Sequence, residues 1–258
     1  MSFRNLPLTL SQKIASCSLL KVISGLNNFD QQSVTRIAKA AGLGGADLID
    51  VACDPHLVRL AIKASGLPIC VSSVEPELFV DAVRAGASMI EIGNFDSFYP
   101  QGRFFNAREV LDLAIQSKKL IKDIPLSVTV PHLLPLDQQA QLAIDLVDVG
   151  ADIIQTEGSV KATPKNPGVL GLIEKAAPTL AAVQTIFKSF SECQIEVPLI
   201  CASGLSEATV GMAFASGASG VGVGSVVNRL DSELEMIAMV KNLRTAIDAS
   251  DRVLNETF

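Results

Sequence analysis

A (β/α)8 (TIM) barrel is the fold this sequence predicts, on three observations. Eight short apolar runs alternate with eight stretches whose apolar residues recur at helical spacing, the pattern of parallel strands covered by helices. A Gly-Ala-x triplet precedes every even-numbered run (Gly45-Ala46-Asp47, Gly86-Ala87-Ser88, Gly150-Ala151-Asp152, Gly217-Ala218-Ser219), whereas the third, fifth and seventh open with Leu67-Pro68, Ile124-Pro125 and Val197-Pro198. Barrel interiors are filled in layers by alternate strands, which gives this two-strand period a physical reason that an open doubly wound sheet lacks. Finally, the last two runs end in glycine turns, Ala202-Ser203-Gly204-Leu205 and Gly220-Val221-Gly222-Val223-Gly224-Ser225, where (β/α)8 barrels commonly hold a phosphate.

The 258 residues form one barrel domain, with residues 1–18 a helical segment ahead of the first strand. The strands are expected at Leu19 to Gly25, Asp47 to Cys53, Pro68 to Ser73, Ser88 to Ile92, Leu126 to Val130, Asp152 to Thr156, Pro198 to Ala202 and Ser219 to Val223. Between them, sets such as Val34, Ile37, Ala38, Ala41 and Ala140, Leu142, Ile144, Leu146, Val147 mark amphipathic helices. Each Gly-Ala triplet supplies a helix C-cap glycine and a small residue for a tight turn. Two connections exceed the usual loop length: Asn94 to Asn106, with the only tyrosine, Tyr99, and Gly158 to Gly168, with Lys161 and Lys165. Both follow the C-terminal end of a strand, the active-site face of a barrel, so both are expected to act as lids.

Composition narrows the function classes. Net charge is −6 and no basic stripe interleaves with aromatics, so nucleic acid is not an expected partner. Hydrophobic residues reach 48% with a mean hydropathy of +0.38, but polar residues or glycine interrupt each apolar run, and no membrane-spanning segment is expected. Five cysteines without a C-x-x-C pair, three of them within strands (Cys53, Cys70, Cys201), read as core thiols in a reducing compartment, and the N-terminus shows no signal or transit pattern. An oligomer is compatible with the sequence.

Alternation along the strands places Lys21, Asp50, Glu91, Thr129, Gln155 and Glu157 in the barrel interior. Buried ionisable groups cost several kcal/mol unless paired, so this set is either an ion-pair network or a reaction site. For Lys21 with Asp50 or Glu91 both readings stand. Glu91 and Glu157, nearer the strand ends, are the stronger candidates for acid–base work. His132, after the fifth strand, is an acid–base or phosphate contact or a satisfied loop histidine, and His56 belongs to the first turn of a helix. No spacing among Asp50, Asp54, His56 and Glu91 specifies a metal site, and none is expected. The turns supply Ser203, Gly204, Gly222, Gly224 and Ser225 as phosphate ligands: without a Cβ the chain lets an oxyanion approach its amide N–H groups. Asn27-Asn28, Ser72-Ser73 and Asn94 either line the mouth or serve turn chemistry.

The segments Lys21 to Asp30 (KVISGLNNFD), Ile69 to Pro76 (ICVSSVEP), Glu91 to Asp96 (EIGNFD), Leu126 to His132 (LSVTVPH), Ile154 to Gly158 (IQTEG) and Cys201 to Ser206 (CASGLS) resemble the hypothetical chloroplast reading frame twenty-three family of cyanobacteria and algal plastids. The resemblance runs from about Leu19 to Asn228 and implies a barrel in the cytoplasm of a cyanobacterium or the plastid stroma of an alga, without implying a reaction. The last two strands look like those of phosphate-binding barrels such as thiazole synthase and the indole-glycerol-phosphate and ribulose-phosphate enzymes, whose catalytic residues do not carry over. The expected function is an isomerase or lyase acting on a small phosphorylated molecule, with Gly204, Gly222, Gly224 and Ser225 on the phosphate. Lys21 would stabilise an enolate-like anion or form an imine, and Glu91 with His132 would move protons. No cofactor is required by this chemistry; FMN is the cofactor the cradle would also admit, and a non-catalytic metabolite sensor is the third reading.

Overall fold

Eight parallel strands close on themselves in chain order, β8 returning to pair with β1. They are β1 (Leu19–Gly25), β2 (Leu48–Ala52), β3 (Ile69–Ser73), β4 (Met89–Ile92), β5 (Leu126–Val130), β6 (Ile153–Thr156), β7 (Leu199–Ala202) and β8 (Gly220–Val223). Every strand lies within one residue of its expected bounds. The helices are α1 (Leu8–Ala15), α2 (Gln31–Gly44), α3 (Pro55–Ser65), α4 (Phe79–Arg84), α5 (Ala107–Leu120), α6 (Leu136–Asp148), α7 (Gly168–Glu192), α8 (Val210–Ala215), α9 (Ser225–Asn228) and α10 (Glu233–Glu256). This computed structural model describes residues 6–158 and 162–256; Lys161, expected in a lid, lies outside them.

The repeated Gly-Ala-x triplet has a specific job. Gly45, Gly86, Gly150 and Gly217 take φ of 87°, 112°, 100° and 101°, and the alanine N–H after each bonds five residues back: Ala46 to Ala41, Ala87 to Ala82, Ala151 to Leu146 and Ala218 to Ala213, at 2.9–3.1 Å. That is the long bond of a Schellman cap, which satisfies an orphan carbonyl of the helix. The third residue then docks on the preceding strand: Asp47 N–H on Leu20 O, Ser88 on Ile69, Asp152 on Leu126 and Ser219 on Leu199. The prolines of the odd strands need no N–H at that point and give their carbonyls to the even strands, Pro68 to Ile49, Pro125 to Ile90 and Pro198 to Ile154. The two-strand period is therefore a hydrogen-bonding grammar at the N-terminal rim.

The core has two parts. Between sheet and helices lies a continuous apolar layer that includes Val22, Val51, Val71, Ile90, Val128 and Val221. Inside the barrel, Leu19, Leu48, Cys70, Met89, Ile153 and Ile200 fill the N-terminal end, and Leu10 and Ile14 of α1 close it from below. Burying each of these two side chains contributes about 1.5–3 kcal/mol, so α1 is a plug. The five cysteines are free thiols; Cys53, Cys70 and Cys201 are buried in the strand layer, and burial pushes Cys53 and Cys201 up to about 12.

The helix α7 is long and apolar enough, by length and composition, to cross a membrane, with an 18-residue window of mean hydropathy 1.2. Its buried positions Ala176, Thr179, Val183, Ile186 and Phe190 recur at helical spacing, and the helix packs against β7 and α6. The segment 94–106, expected as a lid, is folded down against the barrel. Two short 3-10 turns (Phe95–Ser97 and Tyr99–Gln101) fold it down, and Phe95, Tyr99 and Phe105 are buried, with the Phe95 and Phe105 rings 4.5 Å apart.

Candidate functional site

Midway up the barrel the alternation delivers Lys21, Asp50 and Glu91 to one point. The Lys21 ammonium lies 2.7 Å from Glu91 Oε2 and 3.2 Å from Asp50 Oδ2, and donates to Gln155 Oε1 at 3.1 Å. Their remaining acceptor sites are met as well. Ser72 donates to both Asp50 oxygens, Ser127 to Glu91 Oε2 at 2.7 Å and Gln155 Nε2 to Glu91 Oε1 at 2.8 Å. All three charged side chains are at most 1% exposed. Burial disfavours the Lys21 ammonium, yet the charges of Asp50 and Glu91 outweigh it and hold its pKa above the ordinary lysine value. Burial pushes Asp50 up to about 6 despite Lys21, with the Glu91 charge adding to the rise. This is a paired and hydrogen-bonded network carrying one net negative charge. Its ammonium is fully buried and paired, and Lys21 is not among the residues that line the cavity above it.

Above it Thr129 and Gln155 form the floor of a cavity of about 190 Å³ at the C-terminal end of the strands. Lys21, Asp50, Glu91 and His132 are not among its lining residues, whereas Asp96, Glu157, Asn94 and Asn228 are. Asn94, in the left-handed region at φ 58°, connects the two levels by donating to Asp50 and Glu91, each at 3.4 Å.

Glu157 sits one residue past β6 and anchors the cap. Its Oε1 accepts from the Asp96 N–H at 2.7 Å; its Oε2 accepts from Tyr99 Oη at 2.8 Å and the His132 N–H at 3.2 Å, with His132 Nδ1 at 3.0 Å. The His132 ring meets Tyr99 edge-on, 5.1 Å between centroids. His132 and Glu157 are thus brought together, while Glu91, the expected partner of His132 in proton transfer, is bound to Lys21. Burial, with the Glu157 charge adding to it, holds the Tyr99 hydroxyl well above its ordinary pKa.

The opposite wall is built from the two glycine turns. Ser203 and Gly204 both take left-handed φ, 74° and 76°, and a Cβ at Gly204 would stand 2.6 Å from the Lys175 carbonyl oxygen, so only glycine fits. A non-glycine residue there, Ser203, carries strain of about 1–2 kcal/mol, the kind that clusters at ligand clamps. Ser203, Gly204, Leu205, Gly224 and Ser225 line the cavity, and the amide N–H groups of Gly204, Leu205, Gly224 and Ser225 have no acceptor among the described residues. Gly222 does not belong to this wall. It faces the barrel interior, where a Cβ would lie 3.0 Å from both Ala202 Cβ and Ile23 Cδ1, so its smallness is a packing requirement.

Asp96 is the residue that sequence reasoning missed. It lines the cavity beside Glu157, and burial followed by the Glu157 charge pushes its carboxyl up to about 6, against the lowering effect of His132 and the Ser97 N–H. It lies in an aperiodic loop, where no pattern tells which way a side chain points.

Comparisons with known proteins give the family and the fold. The family described as "Protein of unknown function (DUF561)" matches residues 4–253. A protein of Cyanophora paradoxa named "Uncharacterized protein ycf23" is 47% identical over 90% of this chain and 93% of its own length. Among solved structures, (S)-3-O-geranylgeranylglyceryl phosphate synthase from Thermoplasma acidophilum, in complex with its substrate sn-glycerol-1-phosphate, superposes with a TM-score of 0.63 at 12% identity, covering 95% of this chain and 99% of that one. A 3-hexulose-6-phosphate synthase gives 0.60 at 18% identity, covering 88% and 99%. At these identities the two structures establish the shared barrel alone.

Proposed function

The chain belongs to the DUF561 family together with the ycf23 protein it matches, and from that premise we propose that it binds a small phosphorylated metabolite and moves protons on it, as an isomerase or lyase. The observation that carries this reading is the cavity wall whose four amide N–H groups find no acceptor among the described residues, since free backbone donors gathered on one wall of a cavity suit an oxyanion. Phosphate would rest on Gly204, Leu205, Gly224 and Ser225, and the reacting end over Thr129, Asp96 and Glu157. Two barrels of the same fold, named as phosphate-handling synthases, support it. The cavity volume favours a few-carbon ligand: about 190 Å³ is under the roughly 300 Å³ at which drug-sized pockets begin, which speaks against FMN. The setting we propose is the cytoplasm of a cyanobacterium or a plastid stroma, supported by the Cyanophora relative.

Asp96, with a carboxyl lifted towards neutrality and facing the cavity, is the proton-transferring group in this proposal. Glu157 holds the cap in place through its four contacts, and Lys21 with Asp50 and Glu91 fixes the floor. The enclosure of those three also favours a second reading, a metabolite sensor that binds without turnover.

Calorimetry with inorganic phosphate and sulfate tests the cradle. Gly224→Val places a branched side chain at the cavity wall, where even a Cβ would stand 3.2 Å from Ile23 O, and should abolish anion binding in a protein that still folds. Gly222→Val should instead lower the melting temperature through its clash with Ala202 and Ile23. Unchanged anion affinity in a folded Gly224→Val protein would remove the basis of the proposal.

A further inference from the structure

The cavity has two poles of different chemistry. One is the wall of unpaired amides at Gly204, Leu205, Gly224 and Ser225; the other is acidic, with Asp96 and Glu157. No lysine, arginine or histidine lines it among the described residues. Lys175 packs behind the amide pole, its Cγ 3.5 Å from where a Cβ on Gly204 would stand, and so on the phosphate side of the cavity; the acidic pole is less well compensated. Glu157 is held by the neutral donors Asp96 N–H, Tyr99 Oη and His132 N–H, with the His132 ring as its one neighbour able to carry positive charge. Below the floor, Lys21 is outnumbered by Asp50 and Glu91. With His132 charged and assigned to Glu157, the Asp96 carboxylate and the network still leave two negative charges; with His132 neutral they leave three. A doubly charged phosphate entering alone would meet repulsion from all of them, because interactions inside a low-dielectric site are weakly screened.

Resting on the phosphate reading above, we infer that the ligand is zwitterionic: a small phosphomonoester whose other end carries an ammonium group, the phosphate on the glycine-turn amides and the ammonium on Asp96. The ligand then brings a cation to the acidic pole, which no lysine or arginine lines among the described residues. Its ammonium also relieves the repulsion between the Asp96 and Glu157 carboxylates, which in the unliganded protein lifts Asp96 towards neutrality. The size of the site agrees, because about 190 Å³ suits a short amino-alcohol phosphate better than a nucleotide.

Calorimetry on the full chain at neutral pH, in EDTA, would compare O-phosphoethanolamine and 3-aminopropyl phosphate with the hydroxyl counterparts, 2-hydroxyethyl and 3-hydroxypropyl phosphate. A charge-assisted contact gives the better amino ester an advantage of about tenfold or more over its hydroxyl twin in the wild type. In Asp96→Asn that advantage should shrink to under about threefold, while the hydroxyl esters bind as well as before or better. Equal affinities of amino and hydroxyl esters in the wild type, with inorganic phosphate still binding, would overturn the zwitterion and spare the phosphate site. Tight binding of the hydroxyl esters that appears only with added magnesium would overturn it as well, assigning the acidic pole to a divalent cation. No binding of any ester or of inorganic phosphate would overturn both readings.

Discussion

Replacing Asp96 by asparagine should stabilise the protein, and by an amount that depends on pH in a defined way. The carboxyl has an ordinary value of 3.8 in the unfolded chain and about 6 in the folded one, raised first by burial and then by Glu157. Between those values the folded state holds the proton more tightly than the unfolded state does, so stability falls as pH rises through the window and the full cost is present above about pH 6. At 1.36 kcal/mol per unit, a shift of about two units amounts to roughly 3 kcal/mol. Asparagine keeps the shape and an oxygen for the Ser97 N–H but has no charge to bury. The gain of Asp96→Asn over wild type should therefore be near zero below about pH 4 and grow to about 2–3 kcal/mol at neutral pH. Urea denaturation of both proteins across this range measures it. Asp50 titrates in the same window, but it is present in both proteins and cancels in the difference. Stability curves that run parallel at all pH values would refute the claim that Asp96 is an uncompensated carboxylate.

The network beneath the floor responds in the opposite sense. Lys21→Met removes the ammonium and leaves Asp50 and Glu91 facing each other without a partner; it should cost about 3–5 kcal/mol in chemical denaturation, and a loss under about 1 kcal/mol would mean that the ion pair is not structural. Tyr99→Phe removes a hydrogen bond to the Glu157 carboxylate, costing about 1.5–3 kcal/mol. It should also speed protease cleavage within residues 94–106, and an unchanged cleavage rate would show that the Phe95 and Phe105 packing holds the segment without Glu157.

Strand positions were legible because two independent signals coincide: the apolar runs give existence, and the Gly-Ala and proline starts give the ends. Pleating then gave the inward set, and Lys21, Asp50, Glu91, Thr129 and Gln155 are found together in one hydrogen-bonded interior. Depth along the barrel axis was not legible. Lys21 pairs in register with Gly222 and Leu48, two residues above the apolar plug at Leu19, and that places it under the floor instead of at the mouth. The same register explains Gly222, whose hydrogen leaves room for Ile23 and Ala202. Alternation also fails beyond the last strand residue. Asn94 turns left-handed and the short helical turns that follow have no period of two, so nothing in the sequence could aim Asp96 at the cavity or bring Tyr99 and His132 to Glu157.

What separates structural from functional polar groups here is the completeness of their partners. Every charged atom of Lys21, Asp50 and Glu91 is answered within the barrel, so a ligand would have nothing to offer them, and a satisfied buried network is best left closed. Glu157 is answered by its own cap. The unanswered groups are the amides of the two glycine turns, while the carboxylate of Asp96 has the Ser97 N–H as donor but no ion pair among the described residues, and they share one cavity. A polar group left unpaired costs about 1–3 kcal/mol where water cannot reach it, and on this half-buried wall a ligand that displaces the water must offset that cost. Because the unpaired groups are donors at one end and an anion at the other, the ligand that offsets most of it must carry the complementary charges in the same order, and a molecule with a phosphate alone would leave the acidic end as it was.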